Sequence, residues 1–128
     1  MRKEIIRTEK AFVSKSPLTQ AVRMGNMLFV SGQVPVDSNT MKVVSEDFAT
    51  QARHALESLK AILEAAGSSL TAVAKTTVFL TEMSRFQEMN EIYRKYFRED
   101  PPARTCIGVK ELPRGSQIEI DAIAVLED

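Results

Sequence analysis

Two charged residues stand inside segments that otherwise read as buried strands. Arg104, in Pro102-Ala103-Arg104-Thr105-Cys106, shares its strand with Cys106, Ile107 and Val109, and Glu119 stands between Ile118 and Ile120. A charge in an apolar strand is costly unless it is paired or used. A guanidinium can fork onto a carboxylate through two parallel hydrogen bonds, and a glutamate can take and return a proton. The pair suffices for simple chemistry on a small anionic substrate. Each residue also has a plain alternative, a structural ion pair.

Other side chains point away from other chemistries. Ser31-Gly32 lacks the Gly-x-Ser-x-Gly elbow and a partner histidine, so it reads as pocket lining. Cys106 has no histidine placed by motif to activate it, and reads as small packing whose backbone could touch a ligand. His54 lies with Arg53 and Glu57 away from the apolar stripe of its helix, which predicts a solvated surface position. One His and one Cys cannot supply the usual zinc ligand sets, so no metal is expected. Five glycines are scattered singly and form no phosphate-binding loop.

The chain has 128 residues with 44% hydrophobic content, which predicts one domain over residues 1–128 with an ordinary core. Lys+Arg and Asp+Glu are both 17, so the formal net charge is zero. That argues against whole-surface capture of nucleic acid or an anionic membrane. A single cysteine allows no intrachain disulfide and suggests a reducing, cytoplasmic setting. Residues 1–15 are charged throughout, which argues against a secretory leader, and no apolar run reaches bilayer length.

The elements that would position these residues follow from periodicity. Lys3–Arg7 is a short strand candidate. Gln20–Met24 and Met27–Val34 flank Gly25-Asn26, a hairpin signal. Asp37–Thr40 is a turn. Phe48, Ala52, Ala55, Leu56, Leu59, Ile62, Leu63 and Ala66 form one helical stripe, with Ser45 or Asp47 as cap and Gly67 just past the end. Ala74–Thr81 reads as a strand. A second helix with the stripe Phe86, Met89, Tyr93, Tyr96 and Phe97 is expected to be capped by Thr81 or Ser84 and is stopped by Pro101-Pro102. Arg104–Val109 and Gln117–Leu126 are the last strands.

Two helices can cover one face of such a sheet. Several strands are nevertheless apolar on both sides: Leu28 and Val30 against Met27 and Phe29, Val78 and Leu80 against Phe79. Such strands expect cover on both faces. The economical cover is another copy of the chain, so a homo-oligomer is expected. If Arg104, Cys106 and Glu119 occupy faces away from the helices, the charged pair lies at or near the subunit interface.

At this point the chain resembles the RidA/YjgF family of reactive-intermediate deaminases over almost its full length. The resemblance rests on Gln20-Ala21-Val22, Gly25-Asn26, Leu28-Phe29-Val30-Ser31-Gly32-Gln33-Val34-Pro35, Gln51-Ala52-Arg53, Leu59-Lys60-Ala61-Ile62-Leu63 and Ala65-Ala66-Gly67. It continues through Val73–Leu80, Phe86, Met89-Asn90-Glu91-Ile92-Tyr93, Pro102–Cys106, Leu112-Pro113 and Ile118-Glu119-Ile120. No single piece is decisive; in order and at family spacing they are specific.

The resemblance implies an α+β, chorismate-mutase-like fold, with a mixed sheet of about six strands, two helices on one face and a homotrimer burying the other. It implies sites between subunits and hydrolysis of 2-imino acids and their enamines, such as 2-iminobutanoate and 2-iminopropanoate, to 2-oxo acids and ammonia, without a cofactor. Arg104 would grip the substrate carboxylate and Glu119 would activate water. Ser31, Gly32, Asn90 and the Cys106 backbone would help line the pocket. The family loop Gly-Pro-Tyr-Ser-Gln here reads Ser16-Pro17-Leu18-Thr19-Gln20, so Leu18 replaces a tyrosine whose hydroxyl points into the site. The alternatives are a non-catalytic trimer that binds a small carboxylate or acts as a chaperone or regulator, and a ribonuclease or translation inhibitor. The zero net charge and the lone histidine count against the last.

Overall fold

The last strand shows how the sheet is divided. In β6 (Ile118–Val125) the buried residues Ile118, Ile120, Ala122 and Ala124 alternate with the half-buried Glu119, Asp121, Ile123 and Val125. That is the period-two pattern of a strand with one face in a core. The computed structural model describes residues 2–126. It contains one six-stranded mixed sheet in the order β1-β2-β3-β6-β4-β5. The other strands are β1 (Lys3–Ile6), β2 (Ala21–Met24), β3 (Met27–Gln33), β4 (Val73–Leu80) and β5 (Ala103–Gly108). All neighbouring pairs are antiparallel except β4 and β5, which are parallel. The connection between those two holds the second helix, as a parallel pair requires.

Helix α1 (Phe48–Ala65) buries Phe48, Ala52, Ala55, Leu56, Leu59, Ile62 and Leu63 along one side. Each fully buried large side chain of this kind contributes about 1.5–3 kcal/mol. Of the two expected caps, Asp47 is the one used: its carboxylate accepts from the Thr50 N–H at 3.0 Å. Gly67 closes the far end with φ 82, where a side chain would be strained.

The start of helix α2 (Phe86–Tyr96) differs from expectation. Neither Thr81 nor Ser84 caps it. A short 3₁₀ turn, Met83–Arg85, leads directly into it, and Arg85 occupies the cap position without a side-chain cap bond. An Arg85–Glu88 ion pair at 2.9 Å supports the first turn. Of the predicted stripe, Met89, Tyr93 and Phe97 are buried and Phe86 and Tyr96 are half-buried against them; Ile92 joins the buried set.

Both helices pack on the face formed by Leu28, Val30, Val78, Leu80, Ile118 and Ile120. The opposite face has no such cover within the chain. Met27, Phe29 and Ile107 are 39%, 40% and 42% exposed there. Among the described residues, no helix is long and apolar enough to cross a membrane.

Candidate active site

Register places Glu119 on the open face. It pairs with Phe79 of β4, while its neighbours Ile118 and Ile120 point into the core. On the other side of β6, strand β3 has a bulge. Val30 pairs with Ala122 and Gln33 with Ile120, so Ser31 and Gly32 together stand opposite Asp121 alone. A bulge bends its strand and re-aims side chains. Here it brings the Gly32 backbone under the Glu119 carboxyl. A Cβ at Gly32 would overlap that carboxylate, with the Glu119 Cδ 2.8 Å away. Glycine is therefore required by close approach rather than by backbone angle.

The segment before β2 is stapled over this bulge. The Gln20 amide oxygen accepts from the Thr8 N–H at 2.7 Å. Its Nε2 donates to the carbonyls of Thr8 and Phe12 at 3.0 and 2.9 Å. The Ser31 hydroxyl donates to the Thr19 carbonyl at 2.6 Å. These bonds bring Leu18 to a cavity of about 330 Å³ that is also lined by Ser31, Gly32 and Glu119. Leu18 itself is 53% exposed.

Burial raises the Glu119 pKa above the ordinary carboxylate value, and the like charge of Asp121 raises it further. Arg104 does not contribute to this balance, because it is on the other side of the sheet.

That placement corrects the premise that Arg104, Cys106 and Glu119 all face away from the helices. In the parallel β4–β5 pairing, Thr76 stands beside Arg104 and Val78 beside Cys106. Thr76 and Val78 are core residues on the helix face. The Arg104 guanidinium carbon lies 4.9 Å from the Tyr93 ring centroid and 5.5 Å from that of Phe86. The aromatic stripe of α2 is therefore both core and a cation–π platform. Tyr93 is fixed in turn by a 2.7 Å hydrogen bond between its hydroxyl and that of Thr76.

Arg104 has no acidic partner among the described residues; the one ion pair there is Arg85–Glu88. Its nearest polar contact is a weak one, from Nη1 to the Met89 sulfur at 3.8 Å. The guanidinium is oriented but its fork is unused. With Asn90, Tyr93 and Pro102 it lines a second cavity of about 410 Å³.

Cys106 is half-buried beside Arg104. Burial raises its thiol pKa, with Arg104 pulling the other way. Such a thiol is a poor nucleophile, consistent with packing. Strand β5 is an edge strand, so half of its backbone groups have no strand partner.

The predicted site residues thus form two groups. Leu18, Ser31, Gly32 and Glu119 share one cavity; Asn90 and Arg104 share another, with Cys106 adjacent to Arg104 on the strand. The sequence reading placed Tyr93 in the helix stripe and Gln20 in the loop but gave neither, nor Asp121, a role in the site.

His54 also departs from expectation. It is half-buried, its Nδ1 is buried without a hydrogen-bond partner, and it lines a separate cavity with Asp37 and Ser38. Burial lowers its pKa, opposed by Asp37. Among the described residues, no group of three His, Cys, Asp or Glu side chains could hold a metal ion.

Comparison with known proteins agrees with this fold. The sequence model of the endoribonuclease L-PSP family matches residues 8–126. A RutC family protein of Pyrococcus horikoshii is 49% identical, over 98% of this chain and 99% of that one. Among solved structures, RidA from an Antarctic Psychrobacter is 40% identical with a TM-score of 0.91, covering 96% of this chain and 99% of that one. TdcF of Escherichia coli, solved with bound serine, is 41% identical with a TM-score of 0.91, covering 97% and 99%. The chain belongs to the endoribonuclease L-PSP family, the RidA/YjgF proteins.

Proposed function

We propose that this protein is a hydrolytic deaminase that converts 2-imino acids and their enamines to 2-oxo acids and ammonia, at sites completed between copies of the chain. One observation supports this reading above the others. The cation suited to a carboxylate and the carboxyl suited to proton transfer lie on opposite faces of one protomer, and each lines an open cavity without a salt-bridge partner. A second copy on the open sheet face is the occupant we assign to Met27, Phe29 and Ile107, whose exposure is otherwise unfavourable. By family resemblance the assembly is a homotrimer, with Arg104 of one copy opposite Glu119 of the next.

The chemistry needs little more than position and a proton relay. Arg104 forks onto the substrate carboxylate, with Asn90 and the Cys106 backbone beside it. Glu119 takes a proton from water as the oxygen bonds to C2, the C=N electron pair moves to the nitrogen, and Glu119 returns the proton to that nitrogen. Glu119 then takes the carbinolamine hydroxyl proton and delivers it to the amine as the C–N bond breaks and the C=O forms, so ammonia departs with the 2-oxo acid. An imine already hydrolyses in water, so positioning supplies most of the gain. A raised Glu119 pKa suits both halves of this relay. Serine bound to the E. coli relative has the size and carboxylate that such a site would accept. No step calls for a cofactor.

The test is competition with a trap. Threonine dehydratase generates 2-iminobutanoate in the presence of semicarbazide, and the protein is added. Suppression of semicarbazone formation supports the reading, and its absence with short, branched and aromatic imines overturns it. In that case 2-oxo acid binding without turnover would favour a carboxylate-binding trimer.

A further inference from the structure

Arg114 lies on the wall of the Glu119 cavity and takes no part in the chemistry above. Its backbone is left-handed, with φ 58 and ψ 22. Met41, on the same cavity wall, is also left-handed with φ 61. A residue with a side chain seldom holds this conformation, and such outliers concentrate at ligand clamps and active sites. The two are tied together: Arg114 Nη1 donates to the Met41 carbonyl at 3.0 Å. That bond uses one of the five guanidinium donors and fixes the plane of the rest.

Lys15 lines the same cavity. Among the described residues neither Lys15 nor Arg114 has a carboxylate within ion-pair distance, and Glu119 is the one acidic residue on the cavity wall. Neither cation contributes to the Glu119 shift, which comes from burial and Asp121. Both cations line the cavity wall with their charges unpaired among the described residues. A methyl or ethyl side chain on the imine gives them nothing to bind.

We propose that Arg114, assisted by Lys15, binds a second carboxylate at the end of the substrate side chain, so that the site prefers 2-imino dicarboxylic acids to apolar imines of equal size. This inference rests on the deaminase reading. Arg104 of a neighbouring copy would take the carboxylate beside C2, and Arg114 would take the distal one. A planar fork discriminates a carboxylate from an isopropyl group of similar size, because the apolar group leaves its donors unpaired.

The test compares 2-iminosuccinate with 2-imino-4-methylpentanoate, which has an isopropyl group in place of the distal carboxylate. 2-Iminobutanoate serves as the short reference. Each is generated in place and competed with semicarbazide, using wild type, Arg114→Gln and Arg114→Lys. The expected result is a kcat/KM for the dicarboxylic imine about tenfold or more above its isostere, with that ratio collapsing in Arg114→Gln and partly restored in Arg114→Lys. The distal contact should appear mainly in KM. If wild type hydrolyses 2-iminobutanoate but does not prefer the dicarboxylic imine, the inference fails while the deaminase reading stands. If Arg114→Gln lowers all three substrates by the same factor, Arg114 only props the Met41 segment and the inference fails. No turnover of any imine overturns both.

Discussion

On the helix-covered face of the sheet, Ile118, Ile120, Val78 and Leu80 meet α1 and α2 in a core with almost no exposed surface. On the other face, Glu119, Asp121, Phe79, Phe29 and Ile123 remain partly open. The same strands serve both faces, so the difference lies in what covers them. The covered face is complete within one chain. The open face combines apolar residues that need cover with a carboxyl whose protonation is displaced by burial and a like charge. Stability belongs to the first face; in the proposed function, proton transfer and assembly belong to the second. Arg104 is the exception that joins them: it is anchored from the helix face, on Tyr93 and Phe86, yet sits near the sheet edge where another copy could reach it.

Substitutions should separate the two faces. Arg104→Ala is expected to lower kcat/KM for imine hydrolysis by about a hundredfold or more, with a small change in Tm, because it removes the carboxylate fork. Arg104→Lys should recover only part. Phe29→Asp places a charge in the open apolar patch, and sedimentation should show dissociation to protomers with activity lost alongside; an intact oligomer would mean that this face is not the interface. Leu59→Ala opens a cavity on the covered face and should cost about 2–5 kcal/mol of unfolding free energy, while the remaining folded protein keeps its kcat. Gly32→Ala forces the Glu119 carboxyl aside and should reduce kcat by about tenfold with little change in KM or Tm, since the displaced group is the flexible end of a side chain.

The smallest effect concerns Glu119 itself. Its pKa in the folded chain lies above the unfolded value, so the folded state binds the proton more tightly. The stability from this group is fully present below the unfolded pKa and is lost as pH rises through the folded one. Glu119→Gln escapes that loss. Its Tm advantage over wild type should therefore grow modestly from about pH 4 to about pH 7, while its activity falls. In wild type, burial and Asp121 push the acid limb of kcat/KM up while a neighbouring copy's Arg104 pulls it down, so the residual activity of Arg104→Ala should show that limb at higher pH.

Local periodicity made much of this legible. The α1 stripe from Phe48 to Leu63 and the alternation through β6 each follow from one repeat length, and both appear as read. The face of Arg104 and Cys106 did not follow, because it depends on the parallel register that sets Thr76 beside Arg104, a long-range fact with no local signal. The start of α2 was misread because a 3₁₀ turn, rather than a Thr or Ser side chain, leads into the helix. His54 is on the polar side of α1, but the segment around Asp37 folds against it, and a helical wheel contains no such neighbour. The left-handed pair Met41 and Arg114 was equally hidden, as neither is a glycine or an asparagine. Leu18 acquired meaning only through resemblance, since a leucine in a loop carries no signal of its own.

The central claim is that a working site needs Glu119 from one copy and Arg104 from another. The most direct test mixes two inactive variants, Arg104→Ala and Glu119→Gln, in equal amounts through co-refolding. Random assembly should regenerate intact sites at roughly a quarter of the wild-type number, and imine hydrolysis should return to about that level. A mixture no more active than either variant alone, despite confirmed mixed oligomers, would contradict the claim and place both residues in one protomer's site.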